Sequence, residues 1–226
     1  MNNLFDAAGG GEDRGARLAD LSRQVTVCTL CDLALSRMNT VFGSGDPCSP
    51  LMIVGEGPAE NDDATGLPFV GRSGKLLDDI LSAVGLNRGD VYLTNIVKCR
   101  PAVEESGRTK NRPPKTTEIN ACNPYLRAQI EAIGPAVVLC LGGPAAKTLI
   151  DKGFRITRDR GKWHDLAADF GAPGAKVMAT LHPAYLLRQR GEDLKNAKRL
   201  VWEDIRAVQA EYRRALQERD RAGAEG

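Results

Sequence analysis

Three short apolar runs in this chain each lead to a polar residue suited to gripping a flat heterocycle. Residues 51–54 run up to Glu56, residues 91–94 to Asn95, and residues 177–181 to His182. In an open parallel sheet the ligand crevice lies beyond the carboxyl ends of the strands, so polar side chains placed there converge on one pocket. A fourth run, 136–141, reads as another buried strand. Helical patterns separate the four, and that alternation predicts an α/β fold, three-layer α/β/α, with a central four-stranded, mainly parallel sheet.

The helical patterns can be placed in turn. Leu18, Leu21 and Val25 share one face of 16–27. Ser73 reads as the N-cap of a helix whose stripe is Leu76, Leu77, Ile80, Leu81 and Val84, closed by Gly85. Residues 117–133 form another, ended by Gly134-Pro135, and Gly142-Gly143-Pro144 opens a short one over 145–150. The last starts near Glu192 and carries Leu194, Ala197, Leu200, Val201, Ile205 and Val208. With 226 residues and 42% hydrophobic composition, one full core can be buried. The expected organisation is a disordered, Gly- and Ala-rich lead over 1–15, a single domain over 16–212, and a charged, frayed tail over 213–226.

Some classes are excluded. No apolar stretch approaches the roughly 20 residues that span a bilayer. The opening Met1-Asn2-Asn3-Leu4 has no basic-then-apolar signal, so the expectation is a cytoplasmic protein with no membrane partner. Neither G-x-G-x-x-G nor G-x-x-x-x-G-K-[ST] occurs, which removes the two common nucleotide loops. A net charge of +2 does not announce a nucleic-acid binder. Locally, Lys98, Arg100, Arg108, Lys110, Arg112 and Lys115 stand against Glu104 and Glu105, a solvated loop or a phosphate-facing one.

Six cysteines fall at 28, 31, 48, 99, 122 and 140. Cys140 lies inside an apolar strand and reads as a core thiol, and Cys48 as an uninvolved surface thiol. Cys28 and Cys31 form a C-x2-C pair, with Cys99 and Cys122 as partners. In a reducing compartment disulfides are disfavoured, and four thiolates then fit either structural zinc or an iron-sulfur cluster.

Four further stretches bear on function. Gly55-Glu56-Gly57-Pro58-Ala59-Glu60-Asn61-Asp62-Asp63 is followed by Leu67-Pro68-Phe69-Val70-Gly71-Arg72-Ser73-Gly74, then by Thr94-Asn95-Ile96-Val97-Lys98-Cys99-Arg100-Pro101 and His182-Pro183-Ala184-Tyr185-Leu186-Leu187-Arg188. Taken together, these resemble the family 4 uracil-DNA glycosylases, the iron-sulfur branch of their superfamily, from about Val27 to about Ile205. The resemblance implies that Cys28, Cys31, Cys99 and Cys122 hold a 4Fe-4S cluster. It also implies an enzyme that flips uracil out of single- or double-stranded DNA, hydrolyses its N-glycosidic bond and leaves an abasic site. A monomer is expected.

By the same resemblance, Phe69 stacks on the everted base and Gly57 lines the pocket. The Asn95 amide offers a donor and an acceptor to uracil N3 and O4, the reverse of what cytosine requires. His182 donates to uracil O2 and stabilises the departing uracilate. Glu56, Asp62 and Asp63 are the candidates for directing water or favouring the cationic sugar. Ala59 and Asp62 stand where relatives often carry Gly and Glu, which bears on thymine exclusion. Leu186, Leu187 and Arg188 correspond to a loop entering the minor groove. Arg72 and Ser73, at a helix N-terminus, would meet a phosphate. His164 fits no motif and reads as structural. The competing reading is a non-catalytic iron-sulfur module for nucleic-acid binding or redox work. A covalent DNA trap through a loop histidine is disfavoured, because 98–115 contains no histidine.

Overall fold

The computed structural model describes residues 10–224. Its main sheet has six strands: β1 (Ser44–Gly45), β2 (Leu51–Gly55), β3 (Tyr92–Asn95), β6 (Val137–Leu141), β7 (Trp163–Asp165) and β8 (Lys176–Thr180), in the order β1-β3-β2-β6-β8-β7. The four strands expected from the sequence are its parallel centre. Two short antiparallel edges, β1 on β3 and β7 on β8, were not foreseen. At two and three residues they are too short to show an alternating pattern.

Alternate side chains of each central strand face opposite layers. Met52, Val54, Val138, Cys140, Val177 and Ala179 pack with Leu18 and Val25 of α1 (Gly10–Thr26), Leu126, Ile130 and Ile133 of α4 (Thr116–Ile133), and Ala145 and Leu149 of α5 (Gly143–Leu149). Leu51, Ile53, Leu93, Leu139 and Met178 face the other way. They meet Leu77 and Leu81 of α3 (Arg72–Ala83), and Ile205, Val208 and Tyr212 of α8 (Gly191–Ala224). Both faces being covered explains why the central strands read as nearly continuous apolar runs.

The termini depart from expectation. Residues 1–9 of the proposed lead lie outside the described residues, while α1 already begins at Gly10. The tail expected to fray from Arg213 continues as helix to Ala224. Ala215 is buried, Leu216 packs on the second core, and Arg214 pairs with Glu211 and Glu218, so the charged segment still has an apolar stripe and helical ion pairs. No described helix is long and apolar enough to cross a membrane.

Four smaller elements surround the carboxyl edge of the sheet or its flank: α2 (Glu60–Thr65), α6 (Ile156–Asp159), α7 (Pro183–Arg188), and a hairpin of β4 (Ala102–Glu105) with β5 (Arg108–Asn111). The hairpin occupies what the sequence presented as a basic loop. Ser106 and Gly107 both have positive φ, 54° and 72°, as a two-residue hairpin turn requires.

Candidate active site

Strand register places the site. Gly55 is level with Asn95 across β2 and β3, and Leu141 with Thr180 across β6 and β8, so Glu56, Asn95 and His182 all emerge at one rim. An open pocket of about 1040 Å³ lies there, lined by Glu56, Gly57, Asp62, Phe69, Ser73, His182 and Arg188. Its further wall is Pro101, Asn111 and Arg112 from the hairpin's base.

Asn95 sits beneath this surface and not on it, only 1% exposed, and neither amide atom of its side chain has a hydrogen-bond partner among the described residues. Such a group costs about 1–3 kcal/mol when left unpaired, so an orphaned amide at a pocket is a demand for a ligand. Gly55 explains how it is reached. A Cβ there would fall 2.4 Å from Asn95 Oδ1 and 2.6 Å from Phe69 Cζ. The aromatic ring and the amide thus converge over a backbone with no side chain.

His182 caps α7, and its Nδ1 accepts from the Ala184 N–H at 3.0 Å. Burial, reinforced by the Arg188 charge, pushes its pKa down to about 4. The ring is therefore neutral at pH 7, and with Nδ1 accepting, Nε2 carries the proton and is the free donor.

The three acids separate cleanly. Asp62 lines the pocket, but both oxygens are occupied: Oδ2 accepts from Ala59 N–H (3.1 Å) and Oδ1 from Val70 N–H (2.9 Å). Asp63 is buried and turned away, accepting from the N–H groups of Met38 and Asn39. Both serve backbone amides, as short carboxylates in the first turn of a helix commonly do. Glu56 also lines the pocket, and burial raises its pKa while Arg188 pulls it back.

Other placements correct the sequence reading. Leu186 is buried with Leu181, Ala197 and Val201, so it is core and not a wedge; Leu187 is half-buried and Tyr185 is 41% exposed. The residue facing outward, Tyr185, was missed because a six-residue helix shows too little periodicity to tell its faces apart. Ser73 is not the cap of α3. Lys75 N–H bonds Gly71 O, so the first helical bond closes on Gly71 and Ser73 already lies within the helix; Arg72 is exposed at its first position. The basic run is also less free than it looked. Arg112 pairs with buried Glu118, and Lys98 is fully buried, donating from Nζ to Thr94 Oγ1 and the Asn95 carbonyl, each at 2.7 Å.

Cys28, Cys31, Cys99 and Cys122 line a second, small and apolar pocket. Two N–H groups point at its sulfurs, Lys98 N at Cys122 Sγ (3.3 Å) and Arg37 Nη1 at Cys99 Sγ (3.4 Å). Arg37 also donates to the carbonyls of Thr26 and Cys28, a tie the sequence did not signal. Among the described residues no three His, Cys, Asp or Glu side chains are grouped as a site for a single metal ion. Cys140 is buried in β6 and Cys48 stands apart, half-buried.

Comparison with known proteins decides the family. The description "Uracil DNA glycosylase superfamily" matches residues 42–206. This chain belongs to that superfamily. It is 44% identical over 186 residues to a type-4 uracil-DNA glycosylase of Thermotoga maritima, covering 82% of this chain and 89% of the relative. The type-4 enzyme of Archaeoglobus fulgidus is 40% identical, covering 75% and 83%, and that of Sulfurisphaera tokodaii 37%, covering 84% and 83%. The superfamily match spans all six strands of the main sheet, the two short edges included.

Proposed function

We propose that this superfamily member is a monofunctional type-4 uracil-DNA glycosylase, which takes uracil everted from DNA and hydrolyses its N-glycosidic bond, leaving an abasic site. The observation that carries this reading is the orphaned, buried Asn95 amide beneath the Phe69 ring. Nothing in the described protein satisfies it, and the N3 and O4 edge of uracil does.

In this reading the base stacks on Phe69, which supplies attraction of about 1–3 kcal/mol but no identity. Asn95 supplies the identity. Bond cleavage places negative charge on the leaving uracil and positive charge on the sugar. The neutral His182 donates from Nε2 to O2 as that charge builds, which an imidazole need not be cationic to do. Glu56 is the acid left to direct water or favour the cationic sugar, since Asp62 and Asp63 are engaged elsewhere. In this reading the DNA would be met by Arg188 of the pocket lining together with the exposed Tyr185 and half-buried Leu187 of the same helix, and a phosphate by Arg72 and Ser73.

The four thiols suit a 4Fe-4S cluster: the donors are all cysteines, they line one apolar pocket, and N–H groups aim at two of the sulfurs. When bound, the cluster supplies a covalent staple between the 28–31 loop, Cys99 and α4, and no electron. A brown protein would support it, and a colourless, zinc-loaded protein made anaerobically would oppose it.

The test is a labelled oligonucleotide with one uracil, incubated and then cleaved with alkali, with Asn95→Ala and His182→Ala as controls. Strand cleavage by wild type, lost in both variants, supports the reading. An intact strand with wild type would leave a DNA-binding module in its place.

A further inference from the structure

Phe69 holds a backbone conformation that L-residues avoid, with φ 58°. A bulky residue there is costly, and such strain persists only where surroundings over-determine it. The surroundings here are unusual. One main-chain group of each of three consecutive residues is held by a side chain from elsewhere: the Val70 N–H by Asp62, and the Pro68 and Phe69 carbonyls by one guanidinium, that of Arg88. Arg88 Nη1 reaches Pro68 O at 3.0 Å, and Nη2 reaches Phe69 O. Its Nε is fixed in turn by Asp78 Oδ1 of α3 at 2.6 Å. From the other side Gly74 packs against the Phe69 carbonyl, where any Cβ would overlap it at 1.6 Å.

Arg88 belongs to none of the motifs that carry the chemistry, lies outside the pocket and touches no reacting atom. We infer that Arg88, braced by Asp78, is a positioning residue that locks the strained Phe69 in its stacking orientation before the base arrives. The inference rests on the reading of Phe69 as the stacking residue. The planar fork of arginine suits the task, since two carbonyls and one carboxylate are met at once, which a lysine ammonium on a flexible stem cannot do in the same geometry. Pre-organisation of this kind acts by removing an ordering cost from the bound state. The left-handed penalty for an L-residue corresponds to a population change of about 5- to 30-fold, which sets the expected loss.

The test is a double-mutant cycle under single-turnover conditions on a uracil-containing oligonucleotide, using wild type, Arg88→Ala, Phe69→Ala and the double variant. Arg88→Ala should slow uracil release about 5- to 30-fold, and Arg88→Lys should not restore it. In the Phe69→Ala background the same change should alter the rate less than about twofold, while both backgrounds lose the same Tm. Equal rate losses in the two backgrounds would overturn the inference, because they would mean that Arg88 acts only through general stability. Should Arg88→Ala fail to fold, Asp78→Asn keeps the guanidinium and must give a smaller loss with the same dependence on Phe69. A crystal structure of Arg88→Lys supplies a readout independent of activity: Phe69 retaining positive φ with its ring unmoved would overturn the clamp. A wild type that releases no uracil would instead sink the functional reading, leaving that structural arm to decide the clamp.

Discussion

Replacing Gly55 by alanine probes the site at its tightest point. The new methyl would sit 2.4 Å from Asn95 Oδ1 and 2.6 Å from Phe69 Cζ, about 1 Å inside normal contact for both. Neither neighbour can retreat cheaply. Asn95 is fully buried with its carbonyl held by Lys98, and the Phe69 main chain is pinned on both sides. Overpacking of this kind costs about 1–3 kcal/mol of stability, or roughly 2–10 °C in Tm for a chain of this length. The catalytic cost is larger in relative terms, because a displacement of about 1 Å in a positioning group lowers rates on the order of 100-fold. Gly85→Ala is the matched control: its φ is +73° but open space surrounds it, so it should lower Tm by a comparable amount and leave uracil release intact. Single-turnover release from a uracil oligonucleotide, beside thermal melts, reads both quantities. A Gly55→Ala enzyme as fast as the Gly85→Ala control would refute the convergence of ring and amide over Gly55.

Because burial holds His182 near 4, kcat/KM of Glu56→Gln, in which the raised Glu56 carboxyl no longer titrates, should show no break at the ordinary histidine value of 6.5; a step there would show a cationic ring at work. Folding suppresses its protonation, so between about pH 6.5 and 4 the unfolded chain binds the additional proton and stability, followed by urea melts, should fall on acidification through that window. Glu56→Gln should slow release on the order of 100-fold with little change in Tm. Asp62→Asn, which keeps one acceptor for two N–H groups, should instead lower stability by about 1–2 kcal/mol; the reverse pattern would make Asp62 the catalytic acid. Asp204→Ala strands Arg160, its partner behind β8, and should cost about 3–5 kcal/mol in denaturant melts with kcat preserved.

The parallel centre of the sheet was legible because strands covered on both faces must be nearly continuous in apolar residues, and 51–54, 91–94, 136–141 and 177–181 are, broken only by the buried Thr94 and Thr180. The edges at 44–45 and 163–165 were not, since a two- or three-residue strand is defined by its partner and not by its own pattern. In the site, Glu56, Asn95 and His182 were readable from their place after strands. The division of labour among the acids was not, because Asp62 and Asp63 are neighbours in sequence yet serve the Phe69 loop and the 38–39 loop respectively. Leu186 and Leu187 posed the same difficulty, being adjacent and chemically identical, with only the packing of α7 on α8 burying the first. Arg37 and Arg88 act on carbonyls, and a main-chain acceptor leaves no mark in a sequence.

The central claim is that Phe69, Asn95 and His182 grip one base at the rim of the sheet, and free uracil soaked into crystals tests it without relying on turnover. The account predicts uracil stacked on the Phe69 ring, its N3 and O4 edge on the Asn95 amide and its O2 on His182 Nε2. Uracil bound elsewhere, with the Asn95 amide still unpaired, would contradict it.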